Sequence, residues 1–216
     1  MPELSCFYSL SSPWAYLGGA RLQDIVRRHR ARLVLKPFDF QAVVPRTGGV
    51  PIRTRPQPRR DYHAVELARW RDYLGLPLNV APRHYPRENP PEGWNKPAGY
   101  MVIAAQQAGL DAFRLSHAIL RALWAEERDI ADPGVRQAIA DENGLPGAAL
   151  LAAEGSDRVQ AEYRENGREA ERLGVFGSPT MVLDGELFWG QDRLGFVDRA
   201  LARRALGRLG SAAPKA

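Results

Sequence analysis

Hydrophobic and polar positions near the start of the chain predict a strand, a helix and a second strand. Residues 3–10 form a short apolar run typical of a buried strand. From residue 13 to about residue 30, apolar side chains recur every three or four positions, which indicates an amphipathic helix. Residues 32–40 alternate between apolar and polar and predict a second strand, which either lies at the edge of a sheet or is irregular at Pro37. A helix between these two strands predicts that they pair in parallel, through a right-handed crossover.

The middle of the chain predicts only helices and loops. Residues 41–58 are rich in proline, glycine and arginine and are predicted to form a long loop, and residues 76–97 show no regular element. The helical segments begin at capping residues or end at glycines, and they are 61–74, 98–108, 111–127, 132–143, 146–153 and 157–174. This block separates the first two strands from everything that follows.

Strands return near the end of the chain. Residues 180–183 and 186–189 flank the turn Asp184-Gly185, which predicts an antiparallel hairpin. An amphipathic helix follows over residues 193–209. This order of elements predicts an α/β protein with a thioredoxin-like fold and a large all-helical insertion.

The same order gives the predicted domain boundaries. We assign residues 1–58 and 165–209 to the thioredoxin-like domain and residues 59–164 to the helical insertion domain. A chain of 216 residues is long enough to bury the core that such an arrangement requires.

The amino-acid composition limits the kinds of molecule that we expect this protein to bind. The sequence has neither a run of eighteen apolar residues nor a signal peptide, so we expect a cytoplasmic protein that does not bind membranes. Its net charge of +5 comes mainly from arginine. The arginines are densest at Arg53, Arg55, Arg59 and Arg60, without a nucleic-acid-binding motif, and we therefore expect small anionic ligands rather than nucleic acid.

Cysteine and histidine usage argues against a disulfide and a metal site. Cys6 is the only cysteine and lies in the first predicted strand, where a buried, unreactive thiol is expected. The four histidines lack the spacing of metal ligands and are predicted to be structural; they are His29, His63, His84 and His117.

Candidate chemistry begins at Ser12, which is followed by Pro13 at the start of the first helix. A serine there can cap the free N–H groups, and the helix dipole favours an anion in front of it, although capping alone would also explain the pair. Thioredoxin-like oxidoreductases carry Cys-x-x-Cys at this point, and a proline with a cis bond faces it. Here the two sulfur positions are Ser12 and Ala15, and the facing proline is Pro179. Dithiol–disulfide exchange is therefore excluded, because a hydroxyl is not a redox centre.

Four segments together resemble the 2-hydroxychromene-2-carboxylate isomerase family, which is related to kappa-class glutathione transferases and DsbA-type oxidoreductases. The segments are FYSLSSPWAYL (7–17), RRDYHAVELARWRDYLGLPL (59–78), GVFGSPTMVLDG (174–185) and FWGQDRL (188–194). The resemblance extends over about residues 4–206. It implies glutathione as the cofactor and a binding site formed by Ser12, Pro13, Trp14, Arg60, Ser178, Pro179, Gln191 and Asp192.

The resemblance also implies a role for each polar group in that site. The Ser12 hydroxyl, the catalytic group, donates a hydrogen bond to the glutathione sulfur and favours its thiolate. The backbone of Ser178 pairs with the cysteinyl unit, and Arg60 reaches a carboxylate. Gln191 and Asp192 hold the γ-glutamyl end, although capping of the last helix would also explain both.

The chain departs from the family pattern at two places. Gly48-Gly49-Val50-Pro51 lacks an asparagine that would contact glutathione, and Ser9 stands where many relatives have aspartate. Five aromatic residues are candidates for a wall against a flat substrate, although core packing is the better explanation for all but Trp14; they are Trp14, Tyr62, Tyr85, Trp94 and Tyr100.

The function implied is glutathione-dependent interconversion of 2-hydroxychromene-2-carboxylate and trans-o-hydroxybenzylidenepyruvate in the breakdown of aromatic compounds. The expected partners are a small aromatic carboxylate substrate and a second copy of the chain in a homodimer. Two alternatives remain open: a kappa-like glutathione transferase or peroxidase, and a non-catalytic thioredoxin-like binding module.

Overall fold

A mixed four-stranded sheet forms the centre of the molecule. The computed structural model describes residues 1–86 and 91–211. The strands are β1 (Glu3–Tyr8), β2 (Arg32–Pro37), β3 (Thr180–Leu183) and β4 (Glu186–Trp189), in the order β2-β1-β3-β4. β1 pairs in parallel with β2 and antiparallel with β3, and β3 pairs antiparallel with β4. The predicted pairings and the edge position of β2 are confirmed.

The helices of the described residues surround this sheet. In chain order they are α1 (Pro13–Arg28), α2 (Phe40–Val43), α3 (Gln57–Leu74), α4 (Lys96–Gln107), α5 (Ala112–Ala125), α6 (Pro133–Glu142), α7 (Gly147–Ala153), α8 (Asp157–Leu173) and α9 (Leu194–Ser211). Short 3-10 turns precede α3 and α9, at Ile52–Thr54 and Gln191–Arg193. No helix in the described ranges is both long and apolar enough to cross a membrane.

The predicted loop over residues 41–58 contains more structure than its composition suggests. The Asp39 side chain accepts a hydrogen bond from the Ala42 N–H and so starts α2. α3 begins at Gln57, four residues before the predicted start, because Pro58 lies in its first turn, where a missing N–H removes no helical hydrogen bond. Residues 87–90 of the predicted irregular segment lie outside the described residues, and the other residues of 76–95 form no helix or strand.

One buried cluster connects the sheet with the helical part of the chain. It joins Leu4, Cys6 and Tyr8 of β1 to the side chains of α1, α4 and α5. Burial raises the pKa of the Cys6 thiol to about 12, and the predicted buried position of this cysteine is confirmed. α4 is buried along most of its length because it contacts β2, α5, α7 and α8. A side chain at the start of α4 therefore has a position fixed by the core.

Candidate active site

The turn between β1 and α1 places Ser12 at the start of the first helix. Ser12 has extended backbone angles, and its Oγ accepts a hydrogen bond from the Ala15 N–H at 3.2 Å. Pro13 occupies the first helical position. Ser12 is only 7 % exposed, so its hydroxyl is held in a largely dry environment. The predicted cap is confirmed, and the N-terminal N–H groups of α1 favour a negative charge next to this hydroxyl.

The turn before β3 lies directly against Ser12. The Ser178–Pro179 peptide bond is cis, and the Ser12 hydroxyl donates a hydrogen bond to the Ser178 carbonyl at 3.2 Å. The Ser9 N–H donates to the Ser178 Oγ at 3.0 Å. The structure thus brings together two motifs that are 166 residues apart in the chain. The Ser12 hydrogen points at a carbonyl here, and rotation about the Cβ–Oγ bond is enough to direct it at another acceptor.

The segment after β4 is connected to the same turn. The Gly190 N–H donates to the Pro179 carbonyl at 2.9 Å, and Gly190 has a φ of 101°, which favours glycine. Gln191 is only 2 % exposed, and its side-chain oxygen accepts a hydrogen bond from Arg21. Asp192 is exposed and forms an ion pair with Arg193 at 2.9 Å. Asp192 is therefore accessible to a ligand, whereas the Gln191 side chain is engaged with α1.

The loop with the altered sequence also packs against the cis-proline turn. A Cβ atom at Gly49 would lie 2.2 Å from the Phe176 carbonyl oxygen, so only glycine fits there. Thr47 donates a hydrogen bond to the Val175 carbonyl at 2.7 Å. The loop therefore supports the turn through the close backbone approach at Gly49 and the Thr47 hydroxyl, without the missing asparagine.

Trp14 connects the site to α3 through a residue that the sequence analysis treated as merely structural. The Trp14 Nε1–H donates to the Nε2 atom of His63 at 3.2 Å, and the two rings meet edge to face. His63 lies one helical turn after Arg60, which is exposed and donates to Gln57. Burial and, secondarily, the charge of Arg55 lower the pKa of His63 to about 4. His63 is therefore neutral near pH 7, with its hydrogen on Nδ1.

The predicted arginine cluster has two kinds of member. Arg53 donates to the Pro86 carbonyl at 2.6 Å and lies over the Tyr85 ring, so it holds two parts of the chain together. Arg59 and Arg60 are exposed near the start of α3, whereas Arg55 is half-buried and donates a hydrogen bond to the Val50 carbonyl at 2.7 Å. Burial, and next the charge of Arg59, lower the pKa of Arg55. These three arginines give this side of the site a positive potential.

The five aromatic candidates for a substrate-binding wall have different surroundings in the structure. Tyr85 packs edge to face with Trp94 at 6.0 Å and at an angle to Trp124 at 5.1 Å. Tyr100 packs edge to face with Tyr163 at 5.0 Å, and Tyr62 is largely exposed. Of the five candidates, Trp14 is the one that adjoins Ser12 in the chain.

The remaining predicted structural histidines lie away from any cluster of potential metal ligands. His29 pairs with Asp198 at 2.6 Å, and His117 stacks against Tyr16 and Phe113. Within residues 1–86 and 91–211, no three His, Cys, Asp or Glu side chains are grouped so that they could hold a metal ion.

The buried position of His63 predicts a pH-dependent loss of stability. The folded protein binds this proton only near pH 4, whereas the unfolded chain binds it near pH 6.5, so stability falls as the pH drops through that range. The expected contribution is at most about 3.5 kcal/mol, since each pKa unit corresponds to about 1.4 kcal/mol. Urea unfolding of the wild type and of His63→Gln at several pH values measures it. A fall of equal size in both proteins would contradict the assignment.

The sheet, the serine-capped first helix and the facing cis-proline turn define a thioredoxin-like protein whose redox cysteines are replaced. The sequence model of the DSBA-like thioredoxin domain matches residues 3–202, and the chain belongs to this family. The predicted fold class is thereby confirmed.

Comparisons with individual proteins identify relatives within this family. A protein named 2-hydroxychromene-2-carboxylate isomerase from Sphingobium xenophagum is 29 % identical over 196 residues, which cover 90 % of this chain and 95 % of the relative. Glutathione S-transferase kappa 1 from Rattus norvegicus is 22 % identical over 211 residues, or 94 % of this chain and 92 % of the relative. A solved structure of a 2-hydroxychromene-2-carboxylate isomerase superimposes with a TM-score of 0.75 at 23 % identity, covering 98 % of this chain and all of the other.

Proposed function

We propose that this protein is a glutathione-dependent isomerase that interconverts 2-hydroxychromene-2-carboxylate and trans-o-hydroxybenzylidenepyruvate in aromatic catabolism. The observation that carries the proposal is the contact between the buried Ser12 hydroxyl and the Ser178–Pro179 turn, in a site without cysteine. The relative from Sphingobium xenophagum, named for this isomerase activity, supports the choice of reaction.

The residues around Ser12 fit a glutathione molecule. Among the described residues, no group accepts a hydrogen bond from the Ser178 N–H, and the Ser178 carbonyl is shared only with the Ser12 hydroxyl. An extended peptide can pair with such a backbone segment as an added strand. Asp192 offers a negative charge to the γ-glutamyl ammonium, and Arg60 offers a positive charge to a carboxylate. The relative named glutathione S-transferase kappa 1 is consistent with this cofactor.

Ser12 and the N-terminus of α1 have the task of holding the cofactor's sulfur as an anion. A free thiol has a pKa of about 8.5, so only a few per cent is ionised at neutral pH. A hydroxyl donor in a dry site together with the helix dipole stabilises the charged form and lowers that pKa by about one to two units. Opening of the chromene ring breaks the bond between C2 and the ring oxygen, moves the hydroxyl proton to that oxygen, and gives the conjugated 2-oxo acid. When bound, glutathione would supply a nucleophilic sulfur that adds reversibly to the conjugated carbon of this open form, so that the former double bond is free to rotate before the sulfur leaves.

The two parts of the chain have separate tasks in this proposal. The thioredoxin-like part, residues 1–58 and 165–209, holds glutathione, and the helical part, residues 59–164, shapes the pocket for the aromatic acid. Trp14, held by His63 of α3, lies where the two parts meet. We further propose that the protein works in the cytoplasm as a homodimer, which size-exclusion chromatography with light scattering tests.

A spectrophotometric assay with 2-hydroxychromene-2-carboxylate tests the reaction. Turnover should require glutathione, because the side chains of the site include no thiol nucleophile of their own. The glutathione concentration should stay constant during turnover, since an isomerase returns its cofactor unchanged. Consumption of glutathione would indicate a transferase instead. Calorimetry without any heat of glutathione binding would indicate a non-catalytic binding module.

A further inference from the structure

A polar triangle at the β1–α1 turn joins the serines of that turn to the helical part of the chain. The Nδ2 atom of Asn95 lies 2.8 Å from the Ser9 Oγ and 3.0 Å from the Ser11 Oγ. The two hydroxyl oxygens are 2.8 Å apart, and the Ser11 N–H donates to the Ser9 Oγ at 3.3 Å. Asn95 directly precedes α4, so the buried helix holds its amide in place.

Counting hydrogens fixes the orientation of the Asn95 amide. The three contacts among the side chains of Asn95, Ser9 and Ser11 require three hydrogens. An amide nitrogen facing the serines supplies two of them, and one hydroxyl supplies the third. An amide oxygen in its place would leave only the two hydroxyl hydrogens for three pairs of oxygen atoms. The amide therefore faces the serines with its nitrogen.

The same count of hydrogens fixes the direction in which each of the two serine hydroxyls donates. The Ser9 oxygen accepts from Asn95 and from the Ser11 N–H, which occupies both of its lone pairs, so its own hydrogen goes to Ser11. The Ser11 oxygen then accepts from Ser9 and from Asn95. Its hydrogen has no acceptor among the described residues. Toward a ligand Ser11 can therefore only donate, and it is partly exposed beside the buried Ser12.

We propose that Ser11 is a second catalytic hydroxyl, which donates a hydrogen bond to the ketone oxygen of the aromatic 2-oxo acid, and that Asn95 is its positioning residue. This inference rests on the isomerase function proposed above. As the carbon–sulfur bond forms, the electron pair of the double bond shifts to the conjugated ketone oxygen, and it returns when that bond breaks. A preoriented donor stabilises the negative charge on this oxygen, and no net proton or electron is consumed.

Replacing Ser11 with alanine tests the proposal. We expect kcat to fall about tenfold with little change in KM, because a hydrogen bond to a charged oxygen is lost mainly in the transition state. The affinity for glutathione and the pKa of its bound thiol should match those of the wild type. Thiolate absorbance as a function of pH measures that pKa. Ser11→Thr, which keeps the hydroxyl, should recover most of the lost kcat.

The variant Asn95→Asp tests whether the direction of the hydrogen bonds matters, because it reverses that direction while it keeps the shape of the site. A carboxylate is nearly the same size as the amide, but it only accepts, so it would draw the Ser11 hydrogen away from the substrate. The kcat of this variant should fall as far as that of Ser11→Ala. The double variant should be no slower than Ser11→Ala alone, since both changes remove the same donor.

Three results would overturn the inference. An unchanged kcat in Ser11→Ala would show that this hydroxyl does not contact the reacting substrate. A raised pKa of the bound thiol would show that Ser11 serves the sulfur instead. Full activity of Asn95→Asp would refute the assigned directions of the hydrogen bonds. If Ser11→Ala fails to bind glutathione, the kcat of Asn95→Asp alone tests the proposal. A wild-type protein without isomerase activity would refute both the proposed function and this inference. If the wild type is active, any of the three results above refutes the inference alone.

Discussion

Ser12→Ala is expected to lower kcat/KM about tenfold at neutral pH, because the bound thiol would lose its hydroxyl donor and its pKa would rise by about one unit while the dipole of α1 still acts on it. At pH values above the new pKa the difference should shrink, since the thiol then ionises without help. The pH profile of kcat/KM and the thiolate absorbance of bound glutathione should shift together. A profile that keeps its wild-type position would show that another group sets the pKa of the thiol.

A second serine cap provides the matched control for this variant. Ser12 also accepts the Ala15 N–H, so its removal should cost about 1 kcal/mol of stability through the lost cap. Ser156 caps α8 in the same way, by accepting from the Val159 N–H. Ser156→Ala should lose a similar free energy of unfolding while retaining wild-type kcat/KM. Equal losses of activity in both variants would show that the effect of Ser12→Ala comes from stability alone.

Local signals explain why the ends of the fold could be predicted from the sequence. The hairpin of β3 and β4 has the predicted bounds, because Asp184 and Gly185 both take the positive φ that their residue types favour in a tight turn. The Ser12 cap depends on residues within one helical turn, and its contact with the residue before Pro179 follows from the order of strands in this fold. The hairpin and the cap are thus specified by short segments, whereas the contact between Ser12 and Ser178 is specified by the topology of the fold.

Long-range packing explains what the sequence analysis missed. His63 accepts from a tryptophan 49 residues away, and Asn95 donates to a serine 86 residues away, so no local pattern indicates either contact. The contact of Gln191 with glutathione stays a prediction, and the sequence gives no sign that its side chain packs on α1 beside Gly18, where a Cβ atom would lie 2.8 Å from the Gln191 Cβ atom. The spacing of α3 offers one signal: His63 follows Arg60 by a single turn and shares its face.

The buried ion pair between Arg136 and Glu154 should dominate the stability of the helical part of the chain. Arg136 is 3 % exposed and Glu154 is 9 % exposed, and two parallel hydrogen bonds of 2.8 and 2.7 Å join them. The Nη1 group of Arg136 also donates to the carbonyls of Ile130 and Ala131. Arg136→Met would leave a buried carboxylate and two carbonyls without these donors, so we expect a loss of about 3–5 kcal/mol in the free energy of unfolding.

A more exposed arginine–carboxylate pair, also joined by two hydrogen bonds, gives the comparison. Arg128 and Glu142 are also joined by two hydrogen bonds, of 2.6 and 3.0 Å, but Glu142 is 57 % exposed in its side chain. Arg128→Met should therefore cost only about 1 kcal/mol or less, because water solvates the carboxylate that remains. The double variant Arg136→Met, Glu154→Leu should be more stable than Arg136→Met, since it removes the unpaired charge. If urea unfolding gives similar losses in the free energy of unfolding for Arg136→Met and Arg128→Met, then water reaches the Arg136–Glu154 pair. Burial of this pair would then not explain the stability of the helices around α4.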